Sequence, residues 1–137
     1  STAVAAHYDG DRARAIKART GTRMVLHGAS SLPDADLRRL PSDGIVKVNV
    51  WTIFERLGGQ AVARYILSEL GHILPADELR NLHAAGVIGP AALASASGTP
   101  QLDSLREERR REVWQAAVVA RMKFYLDHYH YAAWQPV

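Results

Sequence analysis

The chain of 137 residues contains no cysteine, which excludes disulfide bonds and metal sites built on thiolates. It also has no apolar run long enough to cross a bilayer, and its first residues do not form the pattern of a signal peptide. From these absences we expect a cytoplasmic protein without a membrane partner.

The composition that is present is that of a globular protein. Hydrophobic residues make up 47% of the chain and charged residues 23%. The formal net charge of +3 is a weak argument for binding to nucleic acid, which we do not expect. The chain opens with Ser1-Thr2-Ala3, without an initiator methionine, and soon becomes apolar. We therefore expect it to be a piece of a larger protein or one half of a split chain.

The first fifty residues alternate between the patterns of strands and helices. Strands are predicted over 4–7, 23–27 and 45–50, and helices over 9–21 and 31–44. Such alternation is typical of parallel strands joined by crossover helices. The sequence therefore predicts an α/β fold with a parallel sheet.

The remainder of the chain has helical patterns. Helices are predicted over 54–70 and 74–86, a turn of helix within 90–100, and one long helix over 102–134. We expect 1–137 to be a segment of one domain. In this segment, 1–53 carries strand-helix units and the loops of a site, and 54–137 forms a helical C-terminal part.

Polar side chains occur where the predicted strands end. His7, His27 and Asn49 lie at or near such ends, where parallel α/β folds place their functional sites. Each also has an ordinary structural interpretation. His27 could be a hydrogen-bonded, partly buried histidine, His7 could cap a strand, and Asn49 could form a turn.

The residues that follow these strand ends are suited to binding phosphate. Gly28 lets an anion approach the backbone, Ser30 offers a hydroxyl, and a helix begins just beyond. Asn49 and Thr52 offer an amide and a hydroxyl in the neighbouring loop. Two adjacent strand ends could thus converge on one phosphate, with the imidazole of His27 available for a metal. Alternatively, Ser30 could simply be the N-cap of the next helix.

The stretch VLHGASSLPDADLRRLPSDGIVKVNVWT resembles a segment near the C-terminus of class II, metal-dependent ketose-bisphosphate aldolases. That family includes the fructose- and tagatose-bisphosphate enzymes. Its pattern there is Leu-His-Gly-(Gly/Ala)-Ser, an acidic helix start after proline, and Lys-x-Asn-x-x-Thr on the next strand. The close match covers 23–52. The resemblance implies the C-terminal portion of a (β/α)8 TIM barrel, followed by a largely helical extension.

The resemblance also implies an activity and a set of roles. The enzyme would be a zinc-dependent lyase that reversibly cleaves a ketose phosphate or bisphosphate to dihydroxyacetone phosphate and an aldehyde, in sugar metabolism. Its zinc would polarise the ketone carbonyl. The implied metal ligands are His27 and His7. The implied substrate and phosphate contacts are Gly28, Ser30, Asn49 (also catalytic) and Thr52. A monovalent cation near the phosphate loop and a homo-oligomeric state are further implications.

Two residues depart from the family pattern. Tyr8 follows His7 where the family has glycine, and Trp51 occupies a position that is usually small or acidic. The family's other catalytic residues lie in earlier strands, which this chain lacks. Alone, the chain should therefore be incomplete and inactive, and the remaining strands would come from the same parent protein or from another chain.

Two alternatives stay open from the sequence. One is a diverged, non-catalytic barrel that keeps the phosphate loop. The other is a basic helical module whose terminal helix binds nucleic acid or a partner protein. The alternating charges of 106–114 favour a solvated helix face with i,i+4 pairs over a nucleic-acid patch. Aromatic residues beyond this stretch, including Tyr125, Tyr129, Tyr131 and Trp134, are expected to pack the terminal helix against its surroundings.

Overall fold

The computed structural model describes residues 7–129. These residues divide into two compact units, one formed by 7–55 together with 120–129 and the other by 56–119. The predicted strand at 4–7 falls almost entirely outside the described residues.

The first unit contains the parallel strands and the elements around them. In chain order these are α1 (Gly10–Thr20), β1 (Met24–Leu26), a 3-10 turn (Ala29–Ser31), α2 (Asp34–Leu37), β2 (Ile45–Val48), the start of α3 (Thr52–Ile73) and the end of α7 (Glu107–His128). This order confirms the predicted alternation over the described residues.

Strands β1 and β2 pair in parallel, as predicted. Met24 is aligned with Ile45 and Leu26 with Val48, with an irregularity after Met24. The backbone N–H of Asn49 donates to the carbonyl of Leu26 at 3.0 Å and extends the ladder by one bond. Both strands therefore end at the same edge of the sheet, which fixes where the residues that follow them must lie.

Helix α1 has the ends that its sequence predicts. The side chain of Asp9 accepts a hydrogen bond from the backbone N–H of Arg12 at 2.9 Å and caps the first turn. Gly21 follows the last turn, and its N–H bonds to the carbonyl of Lys17. The charged residues also suit the helix dipole, because Asp11 is in the first turn and Lys17 is in the last.

The single helix predicted over 31–44 is wrong in extent. Only Asp34–Leu37 is α-helical, and the chain then makes tight turns as far as Gly44. The N–H of Arg39 bonds to the carbonyl of Asp36, three residues back. Pro41 then disfavours helical geometry at the residue before it and cannot donate a hydrogen bond. The short-range turns therefore replace the second half of the predicted helix.

The core of the first unit is small and is completed by the end of α7. Its buried apolar residues are Ala13, Ala29, Leu37, Leu40, Ile53, Phe54 and Tyr125. Tyr125 is only 2% exposed and meets the ring of Phe54 edge-on at 5.9 Å. Tyr129 stacks on Tyr125 at 5.7 Å. The expected packing of the terminal helix against another element is thus met for Tyr125, whereas the stacking of Tyr129 on Tyr125 lies at the end of α7 itself. Tyr131 and Trp134 lie outside the described residues.

The second unit is helical, as predicted. It contains the remainder of α3, then α4 (Ala76–Ala84), α5 (Pro90–Ala94), α6 (Leu102–Leu105) and the first part of α7. The prediction of one helix over 102–134 is wrong, because Arg106 has an extended backbone and separates α6 from α7. Hydrogen bonds attach α6 to α3. Ser104 donates to the carboxylate of Glu69 at 2.8 Å, and the Ser104 carbonyl accepts from the hydroxyl of Tyr65.

Within residues 7–129, the sheet consists of two strands, so the TIM barrel remains a prediction. No helix in the same range is both long and apolar enough to span a bilayer.

Candidate active site

His27 and Asn49 are brought together at the end of the parallel sheet. Each is the first residue after its strand, and the backbone bond from Asn49 to Leu26 aligns the two ends. The side-chain nitrogen Nδ2 of Asn49 lies 3.1 Å from Nε2 of His27 and 3.4 Å from Nδ1. Since an amide nitrogen can only donate, the ring nitrogen that pairs with it must offer a lone pair. His27 is exposed, and a neutral imidazole lone pair is also what a metal ion binds.

The loop after His27 turns back towards the start of α3. Gly28 has φ of 76°, a left-handed conformation that glycine adopts without strain. Ala29 is fully buried beneath the loop. The hydroxyl of Ser30 accepts a hydrogen bond from the backbone N–H of Ile53 at 3.2 Å. The loop from β1 is therefore joined directly to the first turn of α3.

This contact corrects one sequence interpretation. Helix α2 begins after Pro33 and has no side-chain cap, so Ser30 does not cap the next helix along the chain. Its hydroxyl instead serves the first turn of α3, 23 residues further on.

The first turn of α3 lies beside this loop. Thr52 is its first residue and is exposed. The carbonyl of Trp51 accepts from the N–H groups of Phe54 and Glu55, at 2.9 and 3.2 Å, and so begins the helix. A helix N-terminus carries partial positive charge and favours anions. The contact of Ser30 with Ile53 therefore brings the loop after β1 next to the N-terminus of α3.

The predicted metal ligands are not assembled into a complete site. Across residues 7–129, no three histidine, aspartate or glutamate side chains are close enough together to hold a metal ion. His27 supplies one accessible imidazole. His7 is exposed, and its side chain makes no hydrogen bond within that range. Within the described residues, His27 and His7 are thus exposed imidazoles that are not joined by further ligands into a complete metal site.

A buried carboxylate beside Tyr8 is a feature that the sequence did not reveal. Asp43 is 1% exposed, forms an ion pair with Arg14 and accepts a hydrogen bond from the Tyr8 hydroxyl at 3.1 Å. Burial, together with this hydrogen bond to Asp43, raises the pKa of Tyr8 to about 12. The one sequence signal was the presence of tyrosine after His7 where the resemblance leads one to expect glycine.

Trp51 also departs from the family pattern, and its side chain is 70% exposed. It lies in the chain between two predicted site residues, Asn49 and Thr52. A large apolar surface is thus left in water next to the polar strand end.

The chain belongs to the class II fructose-bisphosphate aldolase family, whose model matches residues 2–124. It is similar to the D-tagatose-1,6-bisphosphate aldolase subunit GatY of Klebsiella oxytoca, with 46% identity over 50 residues. That stretch covers 36% of this chain and 18% of the relative, so the match spans less than a fifth of the curated protein. No solved structure matches the chain.

The family match confirms the resemblance inferred from 23–52 and extends it over most of the chain. That family consists of lyases of carbohydrate metabolism and is generally zinc-dependent.

Proposed function

We propose that this chain forms the phosphate-binding part, and two metal-ligand positions (His27 and His7), of a zinc-dependent class II aldolase. The reaction is the reversible aldol cleavage of a ketose phosphate or bisphosphate to dihydroxyacetone phosphate and an aldehyde. The observation that carries this proposal is the contact between His27 and Asn49 across two parallel strand ends. It brings the proposed metal ligand and the proposed substrate contact to one place, which supports the roles that the family resemblance implies.

In this proposal the loop after β1 and the start of α3 hold the substrate phosphate. Gly28 leaves the backbone open to an approaching anion, since a Cβ placed there would meet nothing within 4 Å. The hydroxyls of Ser30 and Thr52 donate to phosphate oxygens, with the partial positive charge of the helix behind them. Ser30 accepts from Ile53 and still has its own proton to donate.

Asn49 has two roles in this scheme. Without metal, its amide nitrogen donates to the single lone pair of the neutral imidazole; zinc would replace that bond, and Asn49 would then contact the substrate beside the metal. The chemistry that bound zinc supplies is Lewis-acid polarisation of a carbonyl. His27 holds the metal through a neutral ring nitrogen, and we place His7 as a second ligand.

The family and the relative support the proposed substrate class. The name of the family refers to fructose bisphosphate, and the name of the relative refers to tagatose 1,6-bisphosphate. Both compounds are ketose bisphosphates. We propose that the remaining zinc ligands and the acid and base groups come from barrel strands outside this chain, in the same parent protein or in another chain. We further propose a TIM barrel in which a monovalent cation lies near the phosphate loop and the assembled enzyme is a homo-oligomer.

The test is an aldol cleavage assay on the full-length protein with fructose and tagatose 1,6-bisphosphates. The proposal predicts release of dihydroxyacetone phosphate, loss of that release after treatment with a chelator, and its recovery on addition of zinc. Cleavage that persists in metal-free protein would refute the zinc-dependent mechanism. Absence of cleavage of either bisphosphate would refute the proposed reaction for those substrates.

A second candidate is a barrel that still binds phosphate but has lost the chemistry. The exposed indole of Trp51 favours it, because it lies beside Thr52 at a position where the family resemblance leads one to expect a small or acidic residue. Inorganic phosphate binding that depends on Ser30, in a protein that takes up zinc but cleaves neither bisphosphate, would favour this candidate.

A further inference from the structure

The hydroxyl of Tyr8 fixes the backbone beside a candidate metal ligand. Tyr8 directly follows His7, and its phenol is partly buried while the imidazole of His7 is exposed. The phenol donates to Oδ2 of Asp43 at 3.1 Å, across 35 residues of chain. The segment that carries His7 is thereby attached to the turn that leads into β2.

The acceptor of this bond is itself firmly held. Asp43 is 1% exposed and pairs through Oδ1 with Arg14 of α1, and Nε of Arg39 lies 4.0 Å from Oδ2, the oxygen that accepts from Tyr8. Its backbone N–H bonds to the carbonyl of Arg39 at 3.0 Å. A buried carboxylate with such partners is a fixed point, because leaving it unpaired would be costly.

Glycine at position 10 permits this arrangement. A Cβ on Gly10 would lie 2.5 Å from Oδ2 of Asp43 and 2.9 Å from a guanidinium nitrogen of Arg39. The start of α1 therefore approaches the carboxylate as closely as the backbone allows. The loop at 7–9, the start of α1 and the turn before β2 converge on Asp43.

We propose that Tyr8 is a positioning residue for His7, with Asp43 as its anchor. This inference rests on the proposed function, in which His7 is a zinc ligand. It gives a role to the tyrosine that replaces the usual glycine, so that this departure supports the metal site rather than indicating its loss. Groups that orient metal ligands commonly change metal affinity when they are removed.

The experiment measures zinc affinity of the full-length protein by competition with a zinc-binding indicator. Tyr8→Phe removes the hydroxyl and keeps the ring, and it should weaken zinc binding about tenfold. Hydrogen exchange of the amides in 7–10 should become faster in the same variant, with or without metal. Tyr65→Phe is the matched control, since it removes a hydroxyl that donates to the Ser104 carbonyl in the other unit. It should leave both measurements unchanged.

A second variant separates positioning from general stability. Asp43→Asn keeps an acceptor oxygen for Tyr8 but removes the charge that pairs with Arg14. It should lower the unfolding temperature yet retain zinc affinity within about threefold, because the phenol keeps a neutral hydrogen bond. Zinc affinity that falls in both variants in proportion to lost stability would overturn the proposal.

The remaining outcomes distinguish this inference from the proposed function. If the wild-type protein binds zinc and Tyr8→Phe binds it equally well, the positioning role is overturned and the aldolase proposal stands. If the wild-type protein takes up no zinc, the aldolase proposal fails and the role assigned to Tyr8 fails with it.

Discussion

The amide nitrogen of Asn49 lies 3.1 Å from Nε2 of His27, although 22 residues separate the two in sequence. Parallel pairing of β1 and β2 creates this contact, because both strands end at the same edge of the sheet. Asn49 is half-buried while His27 is exposed. The hydrogen bond thus joins an exposed imidazole to a less exposed amide.

Removal of the Asn49 amide should impair turnover. Asn49→Ala takes away the proposed substrate contact, and we expect kcat/KM to fall about tenfold, near the upper end for one hydrogen bond. Steady-state kinetics on the full-length protein measure this directly. Asn81→Ala, at an exposed position of α4, is the matched control and should have wild-type kinetics. Wild-type kinetics in Asn49→Ala as well would remove Asn49 from the site.

Ser30→Ala should affect both substrate binding and stability. The N–H of Ile53 loses its acceptor, which should cost about 0.5–2 kcal/mol in the free energy of unfolding. The proposed phosphate contact is lost as well, so KM for the phosphorylated substrate should rise while kcat changes little. Denaturant unfolding and steady-state kinetics check the two effects. Ser68→Ala is the control, since that exposed hydroxyl donates only to a carbonyl within α3.

The ion pair between Asp34 and Arg121 should make stability depend on pH. Arg121 donates to both carboxylate oxygens, at 2.7 and 3.3 Å, and these bonds lower the pKa of Asp34 from its ordinary value of 3.8. A lowered folded-state pKa means that the stabilisation is fully present above the unfolded-state value. It is lost as the pH falls through the folded-state value.

Asp34→Asn should therefore reduce the free energy of unfolding at pH 7 by about 0.2–1 kcal/mol, the range for an exposed pair. The difference from wild type should shrink as the pH falls below 3.8, which unfolding titrations at several pH values measure. Asp36→Asn, on the same short helix, is the control and should change stability less at pH 7. A difference that grows towards low pH would contradict this account.

Two adjacent glycines of α3 should respond in opposite directions to the same substitution. A Cβ on Gly58 would collide with the indole of Trp114, whereas one on Gly59 would meet nothing within 4 Å. Gly59→Ala should stabilise the protein by about 0.5–1 kcal/mol, because glycine is a poor helix former. Gly58→Ala should destabilise it by about 1–3 kcal/mol through overpacking. Thermal unfolding of both variants compares the two, and equal effects would refute the packing of the second unit.

Local sequence signals predicted the elements whose ends are set by neighbouring residues. Asp9 and Gly21 define α1, and the β-branched run before Asn49 defines β2. The meeting of His27 with Asn49 was foreseeable, because parallel strands that alternate with helices must end at one edge.

Features that depend on distant contacts were not predicted. The partner of the Ser30 hydroxyl is in α3, 23 residues away. The sequence alone could not distinguish this contact from capping of the next helix along the chain. The break at Arg106 between α6 and α7 is not visible in the helical periodicity of the sequence. It coincides with hydrogen bonds that join Ser104 of α6 to α3, and such distant contacts have no local signal. The anchor of Tyr8 on Asp43 joins residues 35 positions apart and has no local signature.

The most direct test of the proposed site is the zinc content of the full-length protein carrying His27→Ala, measured by elemental analysis beside wild type. His83→Ala, an exposed histidine in the last turn of α4, is the matched control. We predict that wild type and the control retain zinc and cleave ketose bisphosphate, whereas His27→Ala loses both together. Zinc content and cleavage at wild-type levels in His27→Ala would contradict the assignment of His27 as a metal ligand.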